Sequence, residues 1–365
     1  MATMYKHLKK FIFKMDPESA HENAINGLRM ADSIPLGKKV LNMMYGYENP
    51  MLANKVWDIV FPNPVGLAAG FDKNAEVYIP LGLMGFGHVE VGTLTPLAQP
   101  GNDKPRCFRL KEDQAIINRM GFNNHGVQAA AKSLSHYQDA CMPVGVNIGK
   151  NKLTPNDQAA SDYEKCLEAL YPYGHYFAIN VSSPNTPNLR DLQEVDSLRH
   201  LLRTIRKKAD QLEKYGAKRK PILLKVAPDM SDEHMSDVVY VALEEGMDGL
   251  IATNTTLSRE SVSDRRLAKE AGGLSGPMLL PRATECVRDI YKAVGDKMPI
   301  IGVGGIFTGD DAYRMMRAGA SMTQIYTSMI YVGPGAATEI NKRLVQLMKR
   351  DGFTHISEII GIDHK

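Results

Sequence analysis

The most constraining feature of this sequence is a series of eight short apolar runs, rich in valine and isoleucine, with a helical pattern between most of them. Near-continuous apolar runs of this length are typical of parallel strands that are buried on both faces. The runs cover residues 65–70, 88–93, 144–149, 176–182, 221–227, 248–254, 299–305 and 323–328. Helical segments lie between them, for example at 156–173, 231–246 and 308–320. Eight such units in succession predict a closed (β/α)8 TIM barrel.

A doubly wound open sheet is the structural alternative. Such a sheet usually has fewer strands and carries a Gly-x-Gly-x-x-Gly turn after its first strand, and no such turn follows residues 65–70. A chain of 365 residues is long enough for one barrel and a small extension. We therefore assign residues 46–365 to the barrel domain and residues 1–45 to an N-terminal extension. Residues 55–61 alternate in polarity and predict a small strand that leads into the barrel.

The N-terminal extension is predicted to contain two helices. Apolar side chains recur at helical spacing from Tyr5 to Met15, and lysines occupy the opposite face. Asp16 followed by Pro17 is a typical helix start, and the second helix continues to about Ala31. A short basic amphipathic helix followed by a helix rich in small residues could lie on a membrane surface. The alternative is a helical pair packed on the barrel.

Composition excludes several classes of protein. A net charge of +3 without a basic run gives no indication of nucleic-acid binding. Cys107, Cys141, Cys166 and Cys286 are scattered without zinc-ligand spacing, so we expect reduced thiols in a cytoplasmic protein. The sequence has no apolar run of transmembrane length, no signal peptide and no transit peptide.

The residues at the ends of the predicted strands are mostly Asn, Thr, Lys and Gly. In (β/α)8 barrels these positions form the active site. Because they are poor in His, Asp and Glu, we expect no metal site. Neutral amides suit a planar heterocycle that carries its own N–H and C=O groups. Lysines among them would neutralise a carboxylate or an electron-rich ring.

Three segments carry most of this polarity. The fourth strand opens into residues 180–190, which combine neutral amides and hydroxyls with two prolines. Residues 117–126 contain three Asn; they predict a ligand loop, with a helix-capping loop as the alternative. Gly304 and Gly305 after strand seven, with Tyr326 and Thr327 after strand eight, match the usual phosphate site of such barrels.

Together these residues resemble the dihydroorotate dehydrogenase family. The similarity spans essentially the whole chain in one consistent order. The matching segments are LAAGFDKN (67–74), EVGTLTP (90–96), PGNDKPRCFRL (100–110), INRMGFNN (117–124), NIGKNK (147–152), INVSSPNTPNLR (179–190), KVAPD (225–229), IATNTT (251–256), GGLSG (272–276), IIGVGGI (300–306) and QIYT (324–327). The resemblance implies a (β/α)8 barrel with one FMN per chain, which oxidises dihydroorotate to orotate in pyrimidine synthesis.

The family has two classes, and this chain resembles class 2. Class 1 enzymes use a catalytic Cys after strand four, whereas class 2 enzymes use a Ser there and carry an N-terminal helical pair. This chain has Ser183 at that position and the segment DPESAH at 16–21. The resemblance therefore implies a membrane quinone as electron acceptor. It also implies a peripheral monomer that contacts lipid through its N-terminal helices on the cytoplasmic face of the inner membrane.

The resemblance also implies roles for individual residues. It assigns FMN to Ala69, Gly70, Phe71, Asp72, Lys73, Thr93, Asn147, Asn180, Lys225, Thr253, Gly276, Gly305, Tyr326 and Thr327. It assigns dihydroorotate to Lys73, Asn118, Arg119, Met120, Gly121, Phe122, Asn180, Asn185, Asn254 and Thr255. It assigns the quinone site to His21, Arg109 and Tyr326.

Ser183 is expected to act as the catalytic base. A serine hydroxyl is a weak base, so its proton needs an outlet. Thr186, or a water held near Phe122, is the expected relay. Lys225 interrupts an apolar run and is therefore expected to be paired, beside the flavin edge where negative charge grows on reduction.

Two other functions stay open at this point. One is a class 1-like barrel flavoenzyme that passes electrons to fumarate or NAD. The other is a non-catalytic module that binds the membrane surface and keeps the barrel as a scaffold, since a fold alone does not define a function.

Overall fold

The computed structural model describes residues 2–365. In these residues the chain forms thirteen strands and twelve α-helices, numbered in chain order. The strands are β1 Asn54–Val56, β2 Ile59–Phe61, β3 Val65–Leu67, β4 His88–Leu94, β5 Cys107–Leu110, β6 Ala115–Asn118, β7 Val144–Ile148, β8 Tyr176–Asn180, β9 Ile222–Val226, β10 Gly249–Ala252, β11 Gly273–Ser275, β12 Ile300–Val303 and β13 Met322–Ile325. The helices are α1 Ala2–Ile12, α2 Pro17–Ser33, α3 Pro35–Tyr45, α4 Tyr78–Gly82, α5 Gly126–Leu134, α6 Ala159–Leu170, α7 Val195–Lys214, α8 Asp232–Glu244, α9 Leu280–Val294, α10 Gly309–Arg317, α11 Thr327–Tyr331 and α12 Ala336–Arg350.

Eight of the strands close into a parallel barrel, which confirms the predicted fold. The order around the barrel is β3, β4, β7, β8, β9, β10, β12 and β13, and β13 pairs with β3 to close it. Every residue of these eight strands is buried, because the strands have helices outside and packed side chains inside. This explains why the strands are continuous apolar runs in the sequence.

Seven of the eight barrel strands end before the predicted apolar runs do, and β4 ends one residue later than predicted, at Leu94. Strand β3 ends at Leu67 and β8 at Asn180, where the predicted runs extend to residues 70 and 182. The extra residues leave the ladder and form the exit loops, where Gly70 takes a φ of 101°. These loops form the rim of a cavity described below.

The amino-terminal end of the barrel is closed by a hairpin. Residues 55–61 form two strands, β1 and β2, and the prediction of a single strand is wrong. Trp57 and Asp58 make the turn with φ values of 54° and 59°. Two-residue hairpin turns with positive φ usually contain Gly or Asn, so the sequence lacked the usual signal. The indole N–H of Trp57 donates to the carbonyl of Asp248 at 2.7 Å and fixes the hairpin to the barrel.

The N-terminal extension has three helices in the structure, one more than predicted. Asp16 caps α2 as expected, and its Oδ2 accepts from the N–H of Ser19 at 2.9 Å. The chain is extended at Ile34, and α3 begins at Pro35. Among residues 2–365, no helix is long and apolar enough to cross a membrane.

A second sheet, made of β5, β6 and β11, covers part of the barrel mouth. The sequence pattern does not predict this sheet, because its strands are only three or four residues long and lie in segments whose composition is also typical of loops. Buried Glu18 on α2 forms an ion pair with buried Arg106, at 2.5 Å, just before β5. This pair joins the extension to the barrel domain.

Candidate active site

A cavity of about 550 Å³ lies at the carboxyl ends of the barrel strands and continues between the N-terminal helices. Its inner part is lined by the strand exits and by the β5–β6–β11 sheet, and its outer part by α1, α2 and α3. This size is typical of a site for a cofactor or a small ligand. The same cavity therefore joins the barrel and the extension.

Most of the site residues proposed from the sequence line this cavity. They are His21, Ala69, Gly70, Phe71, Lys73, Thr93, Arg109, Asn118, Met120, Gly121, Phe122, Asn180, Ser183, Asn185, Lys225, Thr253, Asn254, Thr255, Gly305, Tyr326 and Thr327. They come from segments that are up to about 300 residues apart in sequence, as expected when barrel strands end at one face.

Five of the proposed residues lie outside the described lining: Asp72, Arg119, Asn147, Thr186 and Gly276. Arg119 points away and donates to the Glu270 carboxylate at 2.7 Å. Asp72 holds its own loop, because its carboxylate accepts from the backbone N–H groups of Glu76 and Val77. Burial raises the pKa of Asp72 to about 6, against the lowering effect of these two bonds.

The inner wall of the cavity is a network of neutral side chains. Thr93 Oγ1 donates to Asn147 Oδ1 at 2.5 Å, and Asn180 Nδ2 donates to Thr93 Oγ1 at 2.9 Å. Asn254 Nδ2 donates to Ser182 Oγ at 3.0 Å. Because these groups hold one another, the amides that face the cavity have fixed positions. Asn147 belongs to this network without reaching the cavity.

A buried ion pair lies beneath this network. Lys225 Nζ is 3.4 Å from Glu90 Oε1, and both side chains are buried. The sequence predicts a partner for Lys225 but does not identify Glu90 as that partner. The signal was present, because Glu90 also interrupts an apolar strand.

Ser183 lies on the loop after β8 and is 5% exposed. Its Oγ accepts from the N–H of Asn185 at 3.2 Å. Arg190 holds the loop, since its guanidinium donates to the Ser182 carbonyl and forms an ion pair with Asp229 at 2.8 Å. Arg190 therefore supports the Ser183 loop, a role that no local sequence pattern indicates.

The three Asn residues of the segment 117–126 occupy two kinds of position in the structure. Asn118 and Asn123 line the cavity. Asn124 holds the loop instead: its Oδ1 accepts from the N–H of Gly126 at 2.8 Å and its Nδ2 donates to Thr95. Asn124 therefore has the role that the capping interpretation gives this loop, and the ligand-loop interpretation stays a prediction for Asn118 and Asn123.

Lys73 and His21 join the barrel to the extension inside the cavity. Lys73 Nζ lies 3.1 Å from His21 Nε2. Burial lowers the pKa of Lys73 to about 8, and burial together with the charge of Lys73 lowers the pKa of His21 to about 3. At neutral pH the lysine is therefore charged and donates to a neutral histidine.

Arg109 and Tyr326 lie in the part of the cavity nearest the extension. Arg109 donates to the carbonyls of Ile12 and Met15, and its guanidinium lies 4.8 Å from the ring centre of Phe13. Tyr326 donates to the carbonyl of Gly70 at 3.3 Å. The contacts of Arg109 therefore hold the end of α1 and the link to α2 against the barrel domain, whereas the Tyr326 hydrogen bond lies within the barrel domain.

Glycines shape the opposite side of the cavity. Gly304 and Gly305, after β12, line it with φ values of 133° and 70°. Beside them Thr327 Oγ1 donates to Ser275 Oγ at 2.9 Å. Exposed backbone N–H groups and hydroxyls in this arrangement suit an anion. Together these features define a (β/α)8 barrel with a deep ligand site that an N-terminal helical extension completes.

Comparison with known proteins identifies the family. The family model for dihydroorotate dehydrogenase matches residues 51–348. The dihydroorotate dehydrogenase (quinone) of Christiangramia forsetii is 48% identical over 344 residues, which cover 94% of this chain and 99% of the relative. The enzyme of the same name from Deinococcus radiodurans is 44% identical, over 98% of this chain and 100% of the relative. The chain belongs to the dihydroorotate dehydrogenase family, a family of oxidoreductases.

A solved structure agrees in fold. The crystal structure of DHODH from Eimeria tenella in complex with ferulenol has a TM-score of 0.88 and 41% identity to this chain, and the match covers 96% of each chain. The match extends beyond the barrel, because 96% of the chain includes most of the N-terminal helices.

Proposed function

We propose that this protein oxidises (S)-dihydroorotate to orotate in de novo pyrimidine synthesis, with FMN as hydride acceptor and a membrane quinone as final electron acceptor. The observation that carries the proposal is the single cavity that runs from the Ser183 loop to the N-terminal helices. Two successive half-reactions at one flavin need a cavity with two different ends, one that binds a polar ring acid and one that binds an apolar quinone. The two ends of the cavity differ in this way.

The residues present fit FMN. Asn180, Thr93 and Lys225 offer fixed donors and acceptors to the ring edge, and Gly305 and Thr327 lie where an anionic phosphate would bind. When bound, FMN supplies a hydride-accepting N5 atom. The chain contributes orientation and a fixed cation near the developing negative charge.

Dihydroorotate fits the neutral amides on the loop side of the cavity. Among residues 2–365, the buried Oδ1 atoms of Asn123 and Asn185 have no hydrogen-bond partner. Buried polar atoms are normally paired, so these two indicate a missing ligand group. A ring with its own N–H groups would satisfy them, and Lys73 would neutralise the substrate carboxylate.

Ser183 is proposed to take the proton from C5 of the substrate. Its loop is held by Arg190, and Pro184 and Pro187 restrict its backbone, so the hydroxyl has a defined position. The proton of the serine itself needs an outlet. Thr186 is proposed as the relay; its hydroxyl is buried and has no partner among the described residues. A water near Phe122 is the alternative relay.

The quinone is proposed to bind between the extension and the barrel mouth. Polar contacts for the quinone oxygens are available from His21, which is neutral, and from Arg109 and Tyr326. Small residues of α2, such as Ala24 and Gly27, line the opening of the cavity. A neutral histidine suits an apolar ligand better than a charged one, because no charge has to be desolvated.

The extension, residues 1–45, is proposed to lie on lipid while residues 46–365 form the catalytic domain. Large apolar side chains are exposed on its helices: Phe11 is 67% exposed, Leu36 66% and Met43 80%. A group of exposed apolar side chains of this kind indicates an interaction surface. We propose a monomer bound peripherally to the cytoplasmic face of the inner membrane.

The test is dihydroorotate-dependent reduction of a quinone by the purified protein, with and without lipid vesicles. We expect one FMN per chain, rapid flavin bleaching by dihydroorotate, and faster quinone reduction with vesicles. Fumarate and NAD serve as alternative acceptors, and turnover with either one but not with quinone would contradict the proposal. A colourless protein that cannot bind FMN would instead favour a binding module.

A further inference from the structure

The barrel interior contains a carboxylate that has no role in the mechanism above. Glu90 lies in the middle of β4 and is 0% exposed. Of the described residues around it, Lys225 and Gln324 reach the cavity, whereas Glu90 itself does not line it. Glu90 would therefore not contact a bound ligand itself, and its contacts lead to the ligand through neighbouring side chains.

The carboxylate of Glu90 is held by three donors from three other strands. Asn147 Nδ2 donates to Oε1 at 2.8 Å, Gln324 Nε2 donates to Oε2 at 2.9 Å, and Lys225 Nζ lies 3.4 Å from Oε1. Strands β4 and β9 are not neighbours in the barrel, so Glu90 and Lys225 meet across its interior. The amides fix the carboxylate, and the carboxylate fixes the ammonium.

Stability alone does not explain this pair. A buried ion pair is usually no more stabilising than well-packed apolar side chains of similar volume, because both charges lose their hydration. Much of the barrel interior near β1 and β2 is filled in that apolar way, for example by Leu223, Ile251 and Ile301. A charge pair placed directly below a ligand cavity therefore indicates a functional demand.

We propose that Glu90 is a positioning residue that holds the Lys225 ammonium at the cavity floor and sets how much positive charge a bound flavin experiences. This inference rests on the proposed function, since it takes FMN as the ligand. A lysine without a counter-ion would stabilise the reduced, negatively charged flavin more strongly. The Glu90 carboxylate moderates that effect, so that the flavin accepts hydride from dihydroorotate and still gives electrons to a quinone.

The test is the two-electron midpoint potential of FMN in the holoenzyme, measured against a reference dye for the wild type and for Glu90→Gln. Gln keeps the size of the side chain and removes its charge. We expect the potential to become more positive, with the equilibrium shifted at least tenfold towards reduced flavin, which corresponds to about 30 mV for a two-electron couple. An unchanged or more negative potential in folded, flavin-loaded protein would overturn the proposal.

Asp162→Asn is the matched control, because Asp162 is also a buried carboxylate but binds Thr154 and the Asn151 backbone outside the barrel interior. Its potential should stay at the wild-type value. A second arm repeats Glu90→Gln in a Lys225→Met background. There the shift should largely disappear, because the ammonium that Glu90 is proposed to hold and moderate is absent. A full shift in that background would show that Glu90 does not act through Lys225.

If Glu90→Gln does not fold, the same midpoint potential is measured for Glu90→Asp. This variant keeps the negative charge but moves it farther from Lys225, because its side chain is shorter. We expect a smaller positive shift of the midpoint potential than for Glu90→Gln. An unchanged potential in this variant would count against the proposal. The wild type separates this inference from the proposed function. Suppose that the wild type binds FMN and that dihydroorotate bleaches this flavin. If Glu90→Gln then leaves the midpoint potential unchanged, only the proposed role of Glu90 is wrong. A wild type that does not bind FMN overturns both.

Discussion

The inner and outer parts of the cavity differ in the polarity of their walls. The inner part is built from buried neutral amides and hydroxyls, such as Thr93 and Asn180, that bind one another with short hydrogen bonds. The outer part is built from α1, α2 and α3, whose lining includes small residues such as Ala24 and Gly27. A polar ring acid needs the first kind of wall and a quinone with an apolar tail needs the second.

This difference predicts unequal sensitivity to substitution. In the inner part groups such as Thr93, Asn147 and Asn180 are one another's hydrogen-bond partners, so a change at one of them leaves another buried group unpaired. In the outer part the contacts are apolar and non-directional, so shape matters more than chemistry. Changes in the inner part should therefore affect flavin reduction, and changes in the outer part should affect quinone turnover.

The largest effect is expected for Ser183→Ala. Flavin reduction by dihydroorotate should slow about a thousandfold, because a positioned base typically contributes 10²–10⁴-fold. Bound FMN should be unaffected. Stopped-flow bleaching of the flavin measures this rate. Ser197→Ala, at an exposed position of α7, is the control and should match the wild type; equal rates for Ser183→Ala and the wild type would remove Ser183 from the mechanism.

The next largest effect concerns the ion pair that joins the two parts. Glu18→Ala leaves buried Arg106 without its carboxylate partner. We expect the free energy of unfolding to fall by about 3 kcal/mol, as is typical when one member of a buried pair is removed. Urea unfolding measures this loss. Glu22→Ala on the exposed side of the same helix is the control, and an equal loss in both variants would show that the pair does not fasten the extension.

A smaller effect, confined to the outer part, is expected for Gly27→Phe. Gly27 lies within α2 and lines the cavity opening, and a Cβ at this position would meet no atom within 4 Å. The bulky ring should narrow the opening and raise the KM for a long-tailed quinone about tenfold, a loss of about 1.4 kcal/mol in binding. Flavin reduction should not change.

Gly27→Ala is the matched control for that variant. It keeps the opening wide and should stabilise the helix by about 1 kcal/mol, because glycine is a poor helix former. Quinone kinetics that do not distinguish Phe from Ala at this position would place the quinone route elsewhere.

The smallest effect is a pH dependence at the junction of the two parts. Burial lowers the pKa of Lys73 to about 8, so its charge is present below that pH and is lost as the pH rises through it. The affinity for orotate, measured from flavin absorbance, should therefore weaken about fourfold between pH 7 and pH 8.5. Lys73→Arg, which stays charged, should bind orotate with no such change. A similar loss in that variant would assign the titration to another group.

Much of the fold and of the site could be predicted from the sequence, for physical reasons. Parallel strands buried on both faces must be apolar throughout, so the barrel is visible as eight runs. Chemistry at the strand ends then follows from the fold, and this brought Asn180, Ser183 and Lys225 into one group. The hairpin turn at Trp57 and Asp58 was missed, because it lacks the glycine that usually occupies such a turn.

The sequence by itself determined which strand ends carry polar side chains and that a serine stands where a base is proposed, since local pattern and residue type suffice for both. Only the tertiary structure decided which of those side chains share a cavity: it placed Arg119 at an ion pair with Glu270 and Asn147 behind the wall. It also paired Lys225 with Glu90 from across the barrel and placed His21 against Lys73. Such contacts join residues far apart in the chain, so barrel closure and helix docking set them, and no local pattern encodes them.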